Sequence, residues 1–151
     1  MNLDTQDDSR LTLERTIPTS PQDLFQLWVD PTQVARWWAP DGYQCLVDSL
    51  DARPGGRWRT ILQHPSSKQI AISGVYRTIE PPRLLTFTWA WEDEHGRRGH
   101  ETEVRVRFSP VPGGTRLLLI QQAFENKSVR DRHNFGWSAG FDRLTRIHAT
   151  T

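Results

Sequence analysis

The sequence predicts an α+β fold in which a curved antiparallel sheet wraps round one long C-terminal helix. Three observations lead to this prediction: helix signals after one early strand, six strand-like segments between residues 43 and 124, and helical periodicity over residues 128–148. A long amphipathic helix must bury its apolar face, and the predicted sheet offers the largest apolar surface. The predicted element order is therefore strand, two short helices, six strands and a long helix.

Length and composition restrict the class of protein. The 151 residues fit a single domain, which we place at residues 10–151 after a disordered polar leader of residues 1–9. A net charge of +1, with both signs interspersed, argues against a nucleic-acid partner. No apolar run approaches the ~20 residues of a membrane span, and the polar leader is unlike a secretory signal. We therefore expect a cytoplasmic location and no membrane partner.

The first strand and the two short helices follow from alternation and capping signals. Residues 11–17 alternate apolar and polar side chains, as a half-buried strand does. Ser20 fits the N-cap of a first helix and Pro21 its first helical position. Asp30 repeats this arrangement before residues 32–38, which predicts a second short helix there.

The middle of the chain predicts an antiparallel meander. The six strands are residues 43–51, 57–63, 69–80, 84–91, 100–108 and 115–124, joined by short turns. Within residues 84–91, one face is apolar and aromatic, and we expect the opposite face, with Thr86, Thr88 and Ala90, to be largely solvated. In the last strand Leu118 and Ile120 fall on the polar face. They predict either an oligomer contact, as in a homodimer, or an edge against the loops.

The last helix carries a stripe with two halves. We place its start at Ser128, with Asp131 completing a capping-box-like pair. At about 100° per residue, an apolar half stacks on one face and a polar half continues the same stripe towards the helix start. The apolar half is Trp137, Phe141 and Leu144, and the polar half is Asn134, His133 and Arg130. Either the whole stripe packs on the sheet, or its polar half overhangs a cavity.

Seven tryptophans in a chain that is only 36% hydrophobic indicate that aromatic rings fill the core or line a ligand cleft. From strand parity and the helix stripe, we predict eight pocket residues, each of which could equally be core: Trp37, Trp38, Trp58, Trp89, Trp91, Gln121, Trp137 and Phe141. If the strand of residues 57–62 has the opposite facing, Arg59 points inward instead. It would then anchor a carboxylate or a phenolate.

His133 is the one weak candidate for catalysis, because it lies on the inward stripe and titrates near neutral pH. A general base also needs an orienting partner, and only Glu125 lies close upstream. In the loop after residue 91, the spacing of His95 and His100 matches no metal motif, so we expect a solvated hairpin tip. The sequence predicts no catalytic residue beyond this candidate, no metal site and no cofactor.

These elements and motifs resemble the helix-grip fold, also called START-like or SRPBCC. Within it the chain is most similar to single-domain bacterial relatives of the C-terminal domain of the activator of the heat-shock-protein-ninety ATPase. The motifs that carry the resemblance are Trp37 and Trp38 before Pro40, the segment from Pro54 to Arg59, Gly74 to Tyr76 with Ile79, Pro81 and Pro82, Phe87 to Trp89, Gly113 to Leu117, and His133 with Gly136 and Trp137.

The resemblance and the residues together give three functional hypotheses, in order of preference. The first is binding of a small, mostly hydrophobic or aromatic molecule between the last helix and the sheet, with no catalysis; His133 and Arg59 join the eight pocket residues as ligand-binding candidates. The second is a cyclase or hydrolase in the same cavity. The third, implied by the family name, is a co-chaperone-like module with a chaperone partner and an exposed apolar patch.

Overall fold

A computed structural model describes residues 8–149 of the chain. Two short helices follow the first strand, six strands come next, and a long helix ends the chain. The elements are β1 Arg10–Ile17, α1 Pro21–Val29, α2 Pro31–Val34, β2 Gln44–Leu50, β3 Arg57–His64, β4 Ser67–Glu80, β5 Leu84–Glu92, β6 Thr102–Val111, β7 Gly114–Gln122 and α3 Lys127–Ala149. This is the predicted element order.

The seven strands form one antiparallel sheet in the order β1-β7-β6-β5-β4-β3-β2. Each strand from β2 to β6 pairs with the next strand along the chain. Strand β1 pairs with β7 and forms one edge of the sheet. The pairing register shifts in β2, β3 and β4, where irregularities bend the strands and help the sheet to curve. The predicted fold class, a curved meander round a C-terminal helix, is confirmed.

The two short helices begin where predicted, but the second is shorter. The side chain of Ser20 accepts a hydrogen bond from the backbone N–H of Asp23, and that of Asp30 accepts one from Thr32. Helix α2 ends at Val34 rather than at residue 38. The N–H groups of Arg36 and Trp37 bond three residues back, so the chain tightens into turns there.

Helix α3 begins one residue before the predicted start and has a different cap. The side chain of Asn126 accepts a hydrogen bond of 3.0 Å from the N–H of Val129, which makes Asn126 the N-cap. Ser128 lies in the first turn and is exposed. Asp131 pairs with Lys127 and Arg130 instead of completing a capping box with Ser128.

The apolar half of the α3 stripe packs against the concave face of the sheet. Phe141 and Leu144 are fully buried, together with Leu117 and Leu119 of β7. Arg15, the polar exception among the inward positions of β1, forms an ion pair of 2.6 Å with Asp142 of α3. Its guanidinium also lies over the ring of Phe141, so the helix itself satisfies this inward charge.

The convex face of the sheet is less solvated than predicted. Thr86, Thr88 and Ala90 are all buried, and the hydroxyl of Thr88 accepts a hydrogen bond from the N–H of Val75 where β4 is irregular. Leu118 and Ile120 are half-buried and lie opposite Arg107 and Arg105 of β6. Arginine stems flank these two apolar side chains, so they do not form a bare apolar patch.

The predicted leader, residues 1–9, lies mostly outside the described residues. Its last two residues are described and contact the fold. The carbonyl of Ser9 accepts a hydrogen bond from the N–H of Phe124, and Asp8 lies 3.7 Å from Arg130.

The two candidate caps of α3 can be separated by substitution. We expect Asn126→Ala to lower the free energy of unfolding by about 1 kcal/mol, because one N–H of the first turn loses its acceptor. Ser128→Ala should change it by no more than about 0.5 kcal/mol. Urea unfolding followed by circular dichroism measures both, and a larger effect at Ser128 would contradict the assignment of the cap.

Candidate ligand-binding site

A cavity of about 450 Å³ lies between α3 and strands β3, β4 and β5. The segment after α2 closes one side of it. The lining residues are mostly apolar, with three basic side chains among them: Trp37, Trp38, Pro40, Leu62, Ile72, Trp89, Trp91, Val129, Arg132, His133, Gly136, Trp137, Gly140 and Arg143. Its size and aromatic lining are those of a small-molecule site.

Two hydrogen bonds hold the tryptophans that follow α2. The indole N–H of Trp37 donates to the carbonyl of Leu27 at 2.6 Å, and that of Trp38 donates to the hydroxyl of Thr60 at 3.0 Å. The two rings also meet edge to face, with centroids 5.4 Å apart. This wall of the cavity is therefore fixed by helix α1 on one side and by β3 on the other.

A buried series of hydrogen bonds lies behind Trp137. Its indole N–H donates to the side-chain oxygen of Gln121 at 2.7 Å, and the Gln121 amide donates to the hydroxyl of Thr102 at 2.7 Å. That hydroxyl in turn donates to the carbonyl of Trp89. Gln121 is fully buried, so these hydrogen bonds satisfy its amide and tie α3 to β7, β6 and β5.

His133 packs among aromatic rings at the β5 wall. Its ring centroid lies 4.5 Å from that of Trp89 and 4.9 Å from that of Phe124. Burial, with a smaller contribution from the charge of Arg132, lowers the pKa of His133 to about 4. The imidazole is therefore neutral at pH 7 and acts in the cavity wall as a flat, uncharged ring.

Two glycines and two arginines define the face that α3 presents to the cavity. Arg132, Gly136, Gly140 and Arg143 follow one another at spacings of four, four and three residues, so they share a helix face. The two arginines lie about 16 Å apart along the helix axis. The glycines leave the middle of this face without side chains, and the basic groups stand at its ends.

The two glycines have different surroundings. A Cβ atom at Gly140 would lie 3.4 Å from the ring of Trp37, so this glycine lets the ring pack against the helix backbone. A Cβ atom at Gly136 would meet nothing within 4 Å. Gly136 borders the cavity and is exposed, and no packing contact requires a glycine there.

The structure places six of the ten predicted binding residues at the cavity: Trp37, Trp38, Trp89, Trp91, His133 and Trp137. Trp91 is 42% exposed. Three others are buried behind the walls. Trp58 borders a separate void of about 20 Å³, Gln121 supports Trp137, and Phe141 belongs to the core.

The predicted anion anchor, Arg59, faces away from the cavity. Strand β3 buries Trp58, Thr60 and Leu62, and Arg59 lies on the opposite face. There its guanidinium contacts both carboxylate oxygens of Glu92, the closest at 2.9 Å, and lies 3.2 Å from Asp48. The ion pair lowers the pKa of Glu92 and links β3 to β5, and Arg59 does not border the cavity.

Sequence reasoning missed Arg132, Arg143, Gly136 and Gly140 because the cavity lies to one side of the apolar stripe. At about 100° per residue, these four residues all lie on the same side of Trp137, roughly 60° to 140° from it around the helix axis. Of the polar residues predicted on the inward stripe, Asn134 is exposed, whereas the side chain of Arg130 is only 11% exposed and pairs with Asp131. The sequence signal that could have indicated this face of the helix is the pair of glycines, Gly136 and Gly140, between the two arginines.

The remaining candidates for chemistry are not assembled into a site. His133 has no hydrogen-bonding partner among the described residues, and Glu125 is exposed. Across residues 8–149, no three metal-binding side chains come together. Burial raises the pKa of the Cys45 thiol to about 11, which keeps it protonated and unreactive at neutral pH.

A seven-stranded antiparallel sheet that holds one long helix over a cavity defines the helix-grip class of α+β proteins. The family model for activator of Hsp90 ATPase homolog 1-like proteins matches residues 18–149, and the chain belongs to that family. A search of curated proteins finds no match. Within the described part of the chain, no helix has the length and hydrophobicity to cross a membrane.

Solved structures of similar proteins share the fold over nearly the whole chain. The AHSA1 protein of Silicibacter pomeroyi is 29% identical, with a TM-score of 0.85 over 94% of this chain and 99% of its own. A protein from Arthrobacter aurescens is 20% identical, with a TM-score of 0.86 over 97% and 91%. The protein CV1439 from Chromobacterium violaceum is 21% identical, with a TM-score of 0.83 over 92% and 96%.

The environment of His133 predicts a pH dependence of stability. Its folded pKa of about 4 lies below the unfolded value of about 6.5, so the unfolded chain takes up the proton first as the pH falls. Stability is lost between these two values, and His133 contributes a loss of about 2 kcal/mol between pH 7.5 and pH 5.

Urea unfolding at the two pH values tests this expectation. His133→Gln should lose less stability than the wild type on acidification, because glutamine takes up no proton. The same substitution at His95, in an exposed loop, controls for the exchange of side chains. An equal loss in the wild type and in His133→Gln would show that the imidazole is not held neutral by its surroundings.

Proposed function

We propose that this protein binds a small, mostly apolar ligand in the cavity between α3 and the sheet, without transforming it. The observation that carries the proposal is Gly136. A glycine inside a helix costs about 1 kcal/mol relative to alanine, and a Cβ atom here would meet no neighbour within 4 Å. The fold gains nothing from this glycine, whereas any larger residue would reduce the cavity.

The lining describes the ligand. Five tryptophan rings and the neutral ring of His133 offer flat apolar surfaces, which suit an aromatic, alicyclic or alkyl body. Hydrogen bonds to Leu27, Thr60 and Gln121 already satisfy the indole N–H groups of Trp37, Trp38 and Trp137. These three rings therefore offer contact area rather than hydrogen bonds.

The two alternative functions have less support. An enzyme would need an oriented acid or base, and the pKa of His133 is too low for a general base near neutral pH. A co-chaperone would need an exposed apolar patch, and arginines flank Leu118 and Ile120. Our proposal keeps a cytoplasmic location and excludes nucleic-acid and membrane partners, which the balanced charge of the chain supports.

Binding can be measured with N-phenyl-1-naphthylamine, a neutral probe that fluoresces in apolar surroundings. We expect saturable binding to the wild type. Gly136→Leu should raise the Kd roughly tenfold or more, because the new side chain occupies the space of the ligand. Asn134→Leu is the matched control, since it adds the same side chain on the exposed, opposite face of α3.

Both variants should keep the far-ultraviolet circular dichroism of the wild type. If the probe does not bind, or binds equally to the wild type and to Gly136→Leu, then the cavity is not a ligand site. Equal weakening by Asn134→Leu would point to the helix surface instead.

The same position gives a prediction for stability. We expect Gly136→Ala to raise the free energy of unfolding by about 0.5–1 kcal/mol, because alanine favours the helix and its methyl group meets no neighbour. Gly140→Ala should gain less, because its methyl group presses on the ring of Trp37. Urea unfolding measures both variants. A loss of stability in Gly136→Ala would mean that the fold itself needs a glycine there.

A further inference from the structure

Resting on the proposed binding function, we infer that the ligand carries one anionic oxygen group, such as a carboxylate, which the guanidinium of Arg143 binds at one end of the cavity. The apolar body of the ligand then lies along Gly136 towards Trp89. An elongated monocarboxylate has this chemistry. The inference depends on how Arg143 is held, on what surrounds it, and on the charges of the cavity lining.

Arg143 is positioned by the protein before any ligand arrives. Its Nε donates a hydrogen bond of 2.8 Å to the carbonyl of Trp37, which orients the guanidinium plane. Its side chain is only 12% exposed, although it lies on the last cavity-facing turn of α3. A guanidinium fixed in this way loses little freedom when it binds a carboxylate.

The charge of Arg143 is poorly compensated within the described residues. Its one carboxylate partner is Asp41, at 3.4 Å from Nη1, and the Asp41 side chain is 86% exposed. Burial lowers the pKa of Arg143, and the charge of Arg146 adds to this effect, whereas Asp41 and Asp142 oppose it. A largely buried cation whose ion-pair partner is solvated favours a second anion.

Space for such an anion exists beside the guanidinium. Its Nη2 forms no hydrogen bond with any described residue, and it would lie 3.7 Å from a Cβ atom at Gly140. Gly140 carries no side chain that would contact Nη2, and both residues border the cavity. An oxygen placed there would meet an N–H donor that nothing else occupies.

The lining as a whole favours an anion. Arg132 and Arg143 are its charged members, His133 is neutral at pH 7, and none of the fourteen lining residues is an aspartate or a glutamate. The formal charge of the lining is therefore positive, although the chain has a net charge of only +1.

Of the two arginines, the geometry selects Arg143. Arg132 is exposed, and no hydrogen bond orients its side chain among the described residues. An exposed and unoriented guanidinium binds an anion weakly, because water competes for both groups. Arg132 therefore serves as the matched control, since it has the same side chain on the same helix and borders the same cavity.

The test measures displacement of N-phenyl-1-naphthylamine by decanoate and by 1-decanol at pH 7.5, where the two competitors differ chiefly in charge. In the wild type, decanoate should bind roughly tenfold more tightly than 1-decanol. Arg143→Gln should remove this preference and leave 1-decanol unchanged. Arg132→Gln should change it by less than about threefold.

Asp41→Asn gives an independent readout that does not depend on the folding of Arg143→Gln. Removal of the competing carboxylate should tighten decanoate binding about twofold to threefold, with probe binding unchanged. The inference is overturned if the wild type binds both competitors equally, if Arg132→Gln loses the preference instead, or if Asp41→Asn weakens decanoate. Absence of probe binding would reject the proposed function itself, and so the two failures can be told apart.

Discussion

The contact between Trp137 and the sheet determines how α3 sits in this protein. The ring of Trp137 stacks on Trp28 of α1 with centroids 5.8 Å apart. Its indole N–H donates a hydrogen bond to the buried side chain of Gln121 in β7. On one side of this contact, Phe141 and Leu144 are fully buried. On the other side, the helix presents glycines and stands away from β3, β4 and β5. Trp137 thus lies between the packed face of the helix and the face that borders the cavity.

The buried amide of Gln121 explains why this contact is specific. An unpaired amide in the core costs more than a hydrogen bond returns, so the helix must present the indole N–H at the correct height. A leucine at either position would pack but would not select one alignment of the helix. The hydrogen bonds of Trp37 and Trp38 act similarly on the opposite wall. The aromatic cavity is therefore held in shape by a few polar contacts just outside it.

Much of the fold follows from local patterns in the sequence, because strand alternation and helix caps depend on neighbouring residues. The facing of β3 could not be decided in this way, since both sets of alternate positions carry large side chains. The pairing of Arg59 with Glu92, 33 residues away, decides it. The cavity was only partly predictable for a different reason. Hydrophobic periodicity finds side chains that pack, whereas the cavity-facing part of α3 includes positions without side chains.

The open space at Gly136 has a consequence for how such a cavity changes over generations. Most substitutions that alter a binding site also destabilise the protein, and loss of stability limits which changes survive. At this position the two effects are separated, because alanine favours the helix and its Cβ meets nothing within 4 Å, whereas a longer side chain would take up part of the cavity. On our proposal, a change at this one codon adjusts the size of the accepted molecule without a compensating mutation elsewhere.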